Sequence, residues 1–341
     1  MKKILVTGGA GYIGSHTIIE MLEHTDWLPI SADNFSNSSD VTFKRIKEIT
    51  GKDIINYQVD LCNSKATREI FEKNPDIHGI IHFAAYKSVP ESVESPLVYY
   101  HNNIESMVNV LNCVKEFKVP HFIFSSSCSV YGNIDKLPVN ENTPLSKAAS
   151  PYGYTKQIGE QLLSDFTKVT SDIKTVALRY FNPVGAHRSG KIGEVPAQRP
   201  NNLVPMITQT AIGKQKEVLI FGDDYDTRDG TCIRDYIHVC DIAEAHISAL
   251  KYLDREKNAP AFSILNLGTG NGVSVMEMVK TFEKVSGTKL NYRISGRREG
   301  DVMAIYSDMA LVEKTLGWTP KCNLDEMMLS AWKWEQNMKN N

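Results

Sequence analysis

The chain has 341 residues, 42% of them hydrophobic and 23% charged, with a formal net charge of -2. These values describe a soluble globular protein with room for one large or two fused domains, and they give no electrostatic reason for a nucleic acid or an anionic membrane to be its partner. The six cysteines are scattered without a C-x-x-C pair, the opening MKKILVTGG lacks a signal-peptide core, and no apolar run is long enough to span a bilayer, so a reduced, cytoplasmic setting is expected.

Through residue 182 short apolar runs alternate with longer helical patterns. KKILVTG, LPISADN, IINYQVD, IHGIIHFAA, HFIFSSS and KTVALRYFN are separated by helical patterns at 14–24, 41–50, 64–73, 97–117 and 152–168. That order predicts βαβ units, and hence an α/β fold with a doubly wound parallel Rossmann sheet over 1–182 that binds the dinucleotide. Beyond Asn182 the Pro-, Gly- and Asn-rich stretch PVGAHRSGKIGEVPAQRPNNLVP breaks the rhythm. Residues 183–341 read as a second, smaller α+β substrate domain, with some segments returning to the first, and the polar EQNMKNN is expected to fray.

Taken in chain order, the first chemical signal is ILVTGGAGYIGSH. Gly8, Gly11 and Gly14 lie after a strand and at a helix start, and Gly9-x-Gly11-x-x-Gly14 also fits the dinucleotide fingerprint. Glycines there permit a tight turn and let a pyrophosphate approach the backbone at a helix N-terminus. Asp33, at the end of the second strand, is placed to accept from the ribose hydroxyls, and its charge would repel a 2′-phosphate, so NAD is favoured over NADP. Asp60 lies near the adenine in this reading, although an Asp closing a strand is otherwise a helix cap. His78 and His82 have metal-like spacing only on a helix; their segment reads as a strand, so no metal is expected.

The stretch SPYGYTKQIGE sets Tyr152 and Lys156 as i and i+4 on one helix face, while Tyr154 points elsewhere. Alone this could be an ordinary surface helix start. With a dinucleotide site upstream and FSSSCSVYG about twenty-five residues before it, an active site is the better reading. A lysine ammonium and a positive nicotinamide would both favour the tyrosine phenolate, bringing a base with an unperturbed pKa near 10 closer to working pH. A serine closing the preceding strand, among Ser125, Ser126 and Ser127, could share the same proton.

These motifs, with IHFAA, LRYFNPVGAH, NNLVP, RDYIHV-x-D, NLGTG and RREGD, run in order from residue 4 to about residue 308. The chain resembles the extended short-chain dehydrogenase/reductase family, and within it the UDP-sugar 4-epimerases. The resemblance implies a catalytic set of Ser127, Tyr152 and Lys156, and reversible epimerisation of UDP-glucose and UDP-galactose through a 4-keto sugar with retained NAD. It adds Tyr12, Ile13, Asn34, Asn37, Leu61, Phe83, Ala84, Ala85, Lys87, Asn102 and Tyr180 to the cofactor side. Ser127 and Tyr152 also face the substrate, joined by Phe181, Asn182, Asn202, Leu203, Arg234, Arg298 and Asp301, with the arginine forks suited to a diphosphate. Phe221 and Tyr236 match the uridine pocket, where the alternative is an ordinary core aromatic. Ile305 matches a gate that sets tolerance for N-acetylated sugars, where the alternative is again plain core. A homodimer paired through 97–117 and 152–168 is also implied. The rival activities are a nucleotide-sugar 4,6-dehydratase, which needs an acid pair where Cys128 and Ser129 stand, and an NAD sensor without catalysis.

Overall fold

In a computed structural model of the chain, every residue is described except 135, 171, 196–199, 299–300 and 340–341. The elements run β1 (Lys3–Thr7), α1 (Tyr12–His24), β2 (Leu28–Ala32), α2 (Val41–Thr50), β3 (Ile55–Tyr57), α3 (Ser64–Lys73), β4 (Ile77–His82), α4 (Val89–Glu94), α5 (Pro96–Tyr100), a π turn (His101–Glu105) and α6 (Ser106–Glu116). They continue through β5 (His121–Ser127), a 3-10 turn (Cys128–Tyr131), α7 (Pro151–Lys168), β6 (Lys174–Tyr180), β7 (Asn182–Val184), α8 (Leu203–Ala211), β8 (Val218–Phe221), β9 (Ile233–His238) and α9 (Val239–Arg255). The chain closes with β10 (Phe262–Leu267), β11 (Gly272–Ser274), α10 (Val275–Ser286), β12 (Tyr292–Ser295), β13 (Ala304–Ile305), α11 (Ala310–Leu316) and α12 (Leu324–Lys339).

Seven strands pair in parallel in the order β10-β6-β5-β4-β1-β2-β3. The central strands are apolar on both faces, because helices cover both: Ile4, Val6, Ile81 and Ile123 pack toward α1 and α9, and Leu5, Ile80, Phe122 and Phe124 toward α3, α6 and α7. The strand order reverses between β1 and β4, and a crevice at such a switch point, beyond the carboxyl ends of the strands, is where α/β sheets bind ligands. The doubly wound parallel sheet expected from the alternation of runs is present.

The remaining strands form a small sheet in which β9 pairs β11, β13 and β7, and a β8–β12 ribbon. Around them α8, α10 and α12 bury Ile207, Phe282, Met328 and Trp332. Two elements that follow β9 go back to the large sheet: β10 pairs β6 along its full length, and α9 packs on α1.

Two expectations need correction. The helix read at 97–117 is three pieces, with a π turn at His101–Glu105 in its middle. Apolar periodicity cannot distinguish a single extra residue per turn from regular helix. The end read as frayed is helical to Lys339, because Glu335 is buried against Lys214 and Asn337 donates to the Gly190 carbonyl.

Candidate active site

The glycine loop is built for close approach. Gly8 has φ +70, and a Cβ there would lie 2.9 Å from the Ala84 nitrogen; one on Gly14 would lie 2.3 Å from the Gly8 oxygen. Gly11 caps α1 without a side-chain bond, so the first N–H groups of that helix, on Tyr12, Ile13 and Gly14, lack intrahelical partners. Asp33 ties this loop to the end of β2: Oδ2 accepts from the Ala10 N–H at 2.9 Å, and Oδ1 accepts from the Phe35 N–H at 2.9 Å and the Ser38 hydroxyl at 2.8 Å. Phe35 itself is held at φ 61, a left-handed backbone unusual for a bulky residue. Asn34 and Asn37 lie in the same loop. An uncapped helix N-terminus, a cradle that no side chain could share and a carboxylate about twenty residues on are together the shape and charge that NAD requires.

Across the crevice, the Ala84 N–H reaches Thr7 Oγ1 and leads to Ala85 and Lys87. Phe83, at the end of β4, packs its ring on His246, 4.7 Å between centroids. Leu61 is buried, while Asp60 is exposed and its side chain accepts from the Cys62 N–H in a turn ahead of α3, whose cap is Asn63. His82 meets the Thr7 hydroxyl, and His78, at the other end of the strand, shares no site with it.

The three serines ending β5 separate by partner. Ser125 accepts from the Tyr180 hydroxyl through Oγ and from Lys156 Nζ through its carbonyl, at 2.7 Å for the latter. The Ser126 hydroxyl donates to Glu160, which is locked to Arg179 by bonds of 2.8 and 2.6 Å beneath the site. The Ser127 hydroxyl accepts from the Ser129 N–H and hydroxyl at 3.2 and 3.0 Å and is the one that faces Tyr152. Ser150 caps α7 by accepting from the Gly153 N–H, with Pro151 at the first helical position, and this start sets Tyr152 and Lys156 on the buried face. Tyr154 is half exposed and packs edge-on against Tyr100.

Burial dominates the ionisation of the pair. It pushes Tyr152 up to about 12, opposed by the Ser127 hydroxyl, and pulls Lys156 down to about 7, opposed by Glu160. The lysine Nζ lies 5.8 Å from the Tyr152 ring centroid and gives its hydrogen bond to Ser125. Burial raises Tyr152, so the phenolate expected from the lysine ammonium is not favoured by the protein alone.

On the other side of the crevice β7 and β9 pair Asn182 with Tyr236. Asn182 Oδ1 is buried and has no partner among the described residues. Arg298 grips Asp301 with two bonds, at 3.1 and 2.8 Å, and lies over Phe221, and Arg234 approaches the same carboxylate at 3.6 Å. Glu299 and Gly300 of RREGD lie outside the described residues. Ile305 pairs with Arg234 and is buried with Phe181, Val130, Tyr131 and Val139. Asn202 and Leu203 begin α8, and Asn202 Nδ2 donates to Glu194 at 3.1 Å.

Sequence reasoning missed several supports. Glu194 also takes Lys87 Nζ at 2.9 Å, so one carboxylate joins a cofactor-side and a substrate-side residue. Asn103, next to the expected Asn102, bonds both the Tyr86 backbone and Thr155 at the start of α7. Asp235 is fully buried and accepts from Thr269, Gly270 and Ser307, fixing NLGTG against β9. Glu194 and Asn103 stand in no motif, and Asp235 stands inside RDYIHV-x-D without a role of its own, since each acts through partners distant in sequence.

Residues 4–268 match the NAD dependent epimerase/dehydratase family. The chain belongs to that family. It is 47% identical to the UDP-glucose 4-epimerase of Bacillus subtilis over 99% of this chain and 98% of that protein. It superposes with a TM-score of 0.96 and 41% identity on the Stenotrophomonas maltophila UDP-glucose 4-epimerase bearing NAD and formylated UDP-arabinopyranose, covering 100% of this chain and 99% of the other. The Bifidobacterium longum enzyme, in complex with NAD+ and UDP, gives 0.94 and 43%, with 99% of each chain covered.

Proposed function

We propose that this chain interconverts UDP-glucose and UDP-galactose by inverting the sugar at C4, with NAD as a retained cofactor. The observation that carries the reading over its dehydratase rival is the identity of the two residues after Ser127. Expelling a C6 hydroxyl needs carboxylic acids there, and the chain has Cys128, whose thiol burial pushes up to about 12, and Ser129, which donates to Ser127. A sensor without catalysis has no use for Ser127, Tyr152 and Lys156 at one crevice.

Bound NAD+ supplies a reversible hydride acceptor for sugar C4. Tyr152 takes the proton of the 4-hydroxyl as the C4–H bond breaks, and returns it when that bond re-forms on the opposite face. Ser127 hydrogen-bonds the same oxygen in both directions. Lys156 stands beside Tyr152 and, through its bond to the Ser125 carbonyl, fixes the end of β5. Arg234, Arg298 and Asn182 hold the UDP moiety while the keto sugar turns, so one site presents both faces of C4 and no net oxidation results.

The exposed apolar side chains Leu97, Val98 and Val108 of 97–117 and Tyr154 of 152–168 support a homodimer paired through those two segments. A cytoplasmic location accords with six free cysteines and, among the described residues, no helix long and apolar enough to cross a membrane. The test is to incubate the purified protein with UDP-galactose and, separately, UDP-N-acetylgalactosamine and to identify products by chromatography. UDP-glucose at equilibrium with UDP-galactose is the expected result, and a 4-keto-6-deoxy product would establish the dehydratase instead.

A further inference from the structure

At the amino ends of the large sheet's strands, far from the glycine loop, two imidazoles converge on one carboxylate. The pairing of β4 with β1 skips from Ile77 to Gly79 opposite Lys3 and Ile4, leaving His78 as an extra residue. A bulge re-aims its side chain, and here the His78 ring meets that of His121 on β5 edge to face, with centroids 5.1 Å apart. Gly79 lets the covering helix come close: a Cβ there would lie 3.1 Å from Leu250 Cδ2. Leu250 and Asp254 are i and i+4 on α9, so the same approach brings the Asp254 carboxylate onto both rings. Its Oδ1 lies 2.6 Å from His78 Nε2 and 3.3 Å from His121 Nε2, and its Oδ2 lies 2.8 Å from Lys2 Nζ. His121 is buried, and its Nδ1 has no partner among the described residues.

We propose that His78, His121 and Asp254 form a site for a divalent transition metal of the zinc class, with water at the fourth position. Two imidazoles and one carboxylate suit Zn2+ or Co2+, whereas Ca2+ and Mg2+ call for oxygen donors. The three ligand atoms lie within 4.8 Å of one another. Tetrahedral donors each about 2.0–2.1 Å from an ion stand roughly 3.3 Å apart. The His121–Asp254 separation already has that value, and the shorter His78–Asp254 contact opens as the ion replaces the shared proton. His78, with 28% of its side chain exposed, gives the ion a way in. The Lys2 ammonium competes for the same carboxylate. The reaction proposed above uses none of these residues.

Co2+ is the probe, titrated into the NAD-loaded protein at neutral pH and followed by visible absorption and calorimetry. One ion per chain is expected, with a spectrum of nitrogen and oxygen ligation. Affinity should fall about tenfold or more in His78→Gln and in Asp254→Asn. Zn2+ should raise the Tm of the wild type and raise that of these variants less at the same concentration. His78 is partly exposed, and its variant's fold is checked by Tm in EDTA. Lys2→Met, which removes the competing cation, should bind more tightly. Absence of saturable binding, a cysteine-thiolate charge-transfer band, affinities unchanged in the His78 and Asp254 variants, or no tightening in Lys2→Met would each show a hydrogen-bonded histidine pair and no metal site.

Discussion

Tyr152 and Tyr154 lie two residues apart, and burial separates their roles. Tyr152→Phe removes the acid/base hydroxyl while keeping the ring, and kcat should fall by about a hundredfold or more. Tyr154→Phe, on a half-exposed ring, should leave turnover near wild type; equal damage from both would reverse the assignment. Lys156 makes a separate stability prediction. Its pKa is lowered from 10.5 to about 7, so the unfolded chain holds the proton more tightly than the folded one. The destabilisation is therefore complete below about pH 7 and fades as pH rises toward the unfolded value. Lys156→Met should raise Tm in mild acid, with the gain vanishing in alkali, while activity drops; a Tm difference constant across pH would refute the linkage. Ile305 is buried among Val130, Tyr131, Val139 and Phe181 with little slack. UDP-glucose and UDP-galactose should be preferred, with slow turnover of the N-acetylhexosamine pair. Ile305→Cys should raise relative activity on the N-acetylated substrate and Ile305→Tyr should abolish it, so an unchanged activity ratio in both variants means this residue is not the gate. Tyr152 and Lys156 were legible because helix spacing sets them on one face and the dinucleotide and serine motifs upstream give that face a chemistry. Spacing does not choose among Ser125, Ser126 and Ser127; the resemblance implies Ser127, and the partners of Ser125 and Ser126 elsewhere in the sheet accord with it.

At the scale of elements, α7 acts as a carrier whose height above the sheet is set by a glycine. A Cβ on Gly159 would lie 2.5 Å from Phe124 Cζ on β5, and one residue further Glu160 is pinned by Arg179 and Ser126. Gly159→Ala should lift the helix, destabilise the fold by about 1–3 kcal/mol and lower kcat, although residue 159 touches no reacting atom. Denaturant midpoints and turnover measured together check this, and full activity at wild-type stability would mean that Phe124 simply yields. The sequence showed where α7 lies and missed what holds it, because the Glu160–Arg179 pair joins a helix to a strand through buried charge that reads as ordinary surface composition. The π turn was missed for a related reason: its extra residue places Asn103 toward Tyr86 and Thr155, a requirement of packing that leaves no trace in hydrophobic period.

For the whole molecule, the alternation of apolar runs and helices sufficed to anticipate the parallel sheet, but not its last strand. Phe262–Leu267 resembles any short strand of the second half, and only its full-length pairing with β6 assigns it to the first. Residues 1–182 expressed alone should therefore fail to give a monomer with cooperative unfolding, since the β6 edge and the α1 surface lose β10 and α9. A well-folded fragment by calorimetry would contradict this. The same return path bears on synthesis at the ribosome. β6 ends at Tyr180 and its partner at Leu267, and at roughly 5–20 residues per second the nascent chain carries that apolar edge unpaired for several seconds. An open strand edge is a template for neighbouring chains. Chaperone demand during translation should thus depend on how fast the stretch between these strands is decoded, and slow codons placed there would lower yield without changing a single residue of the protein.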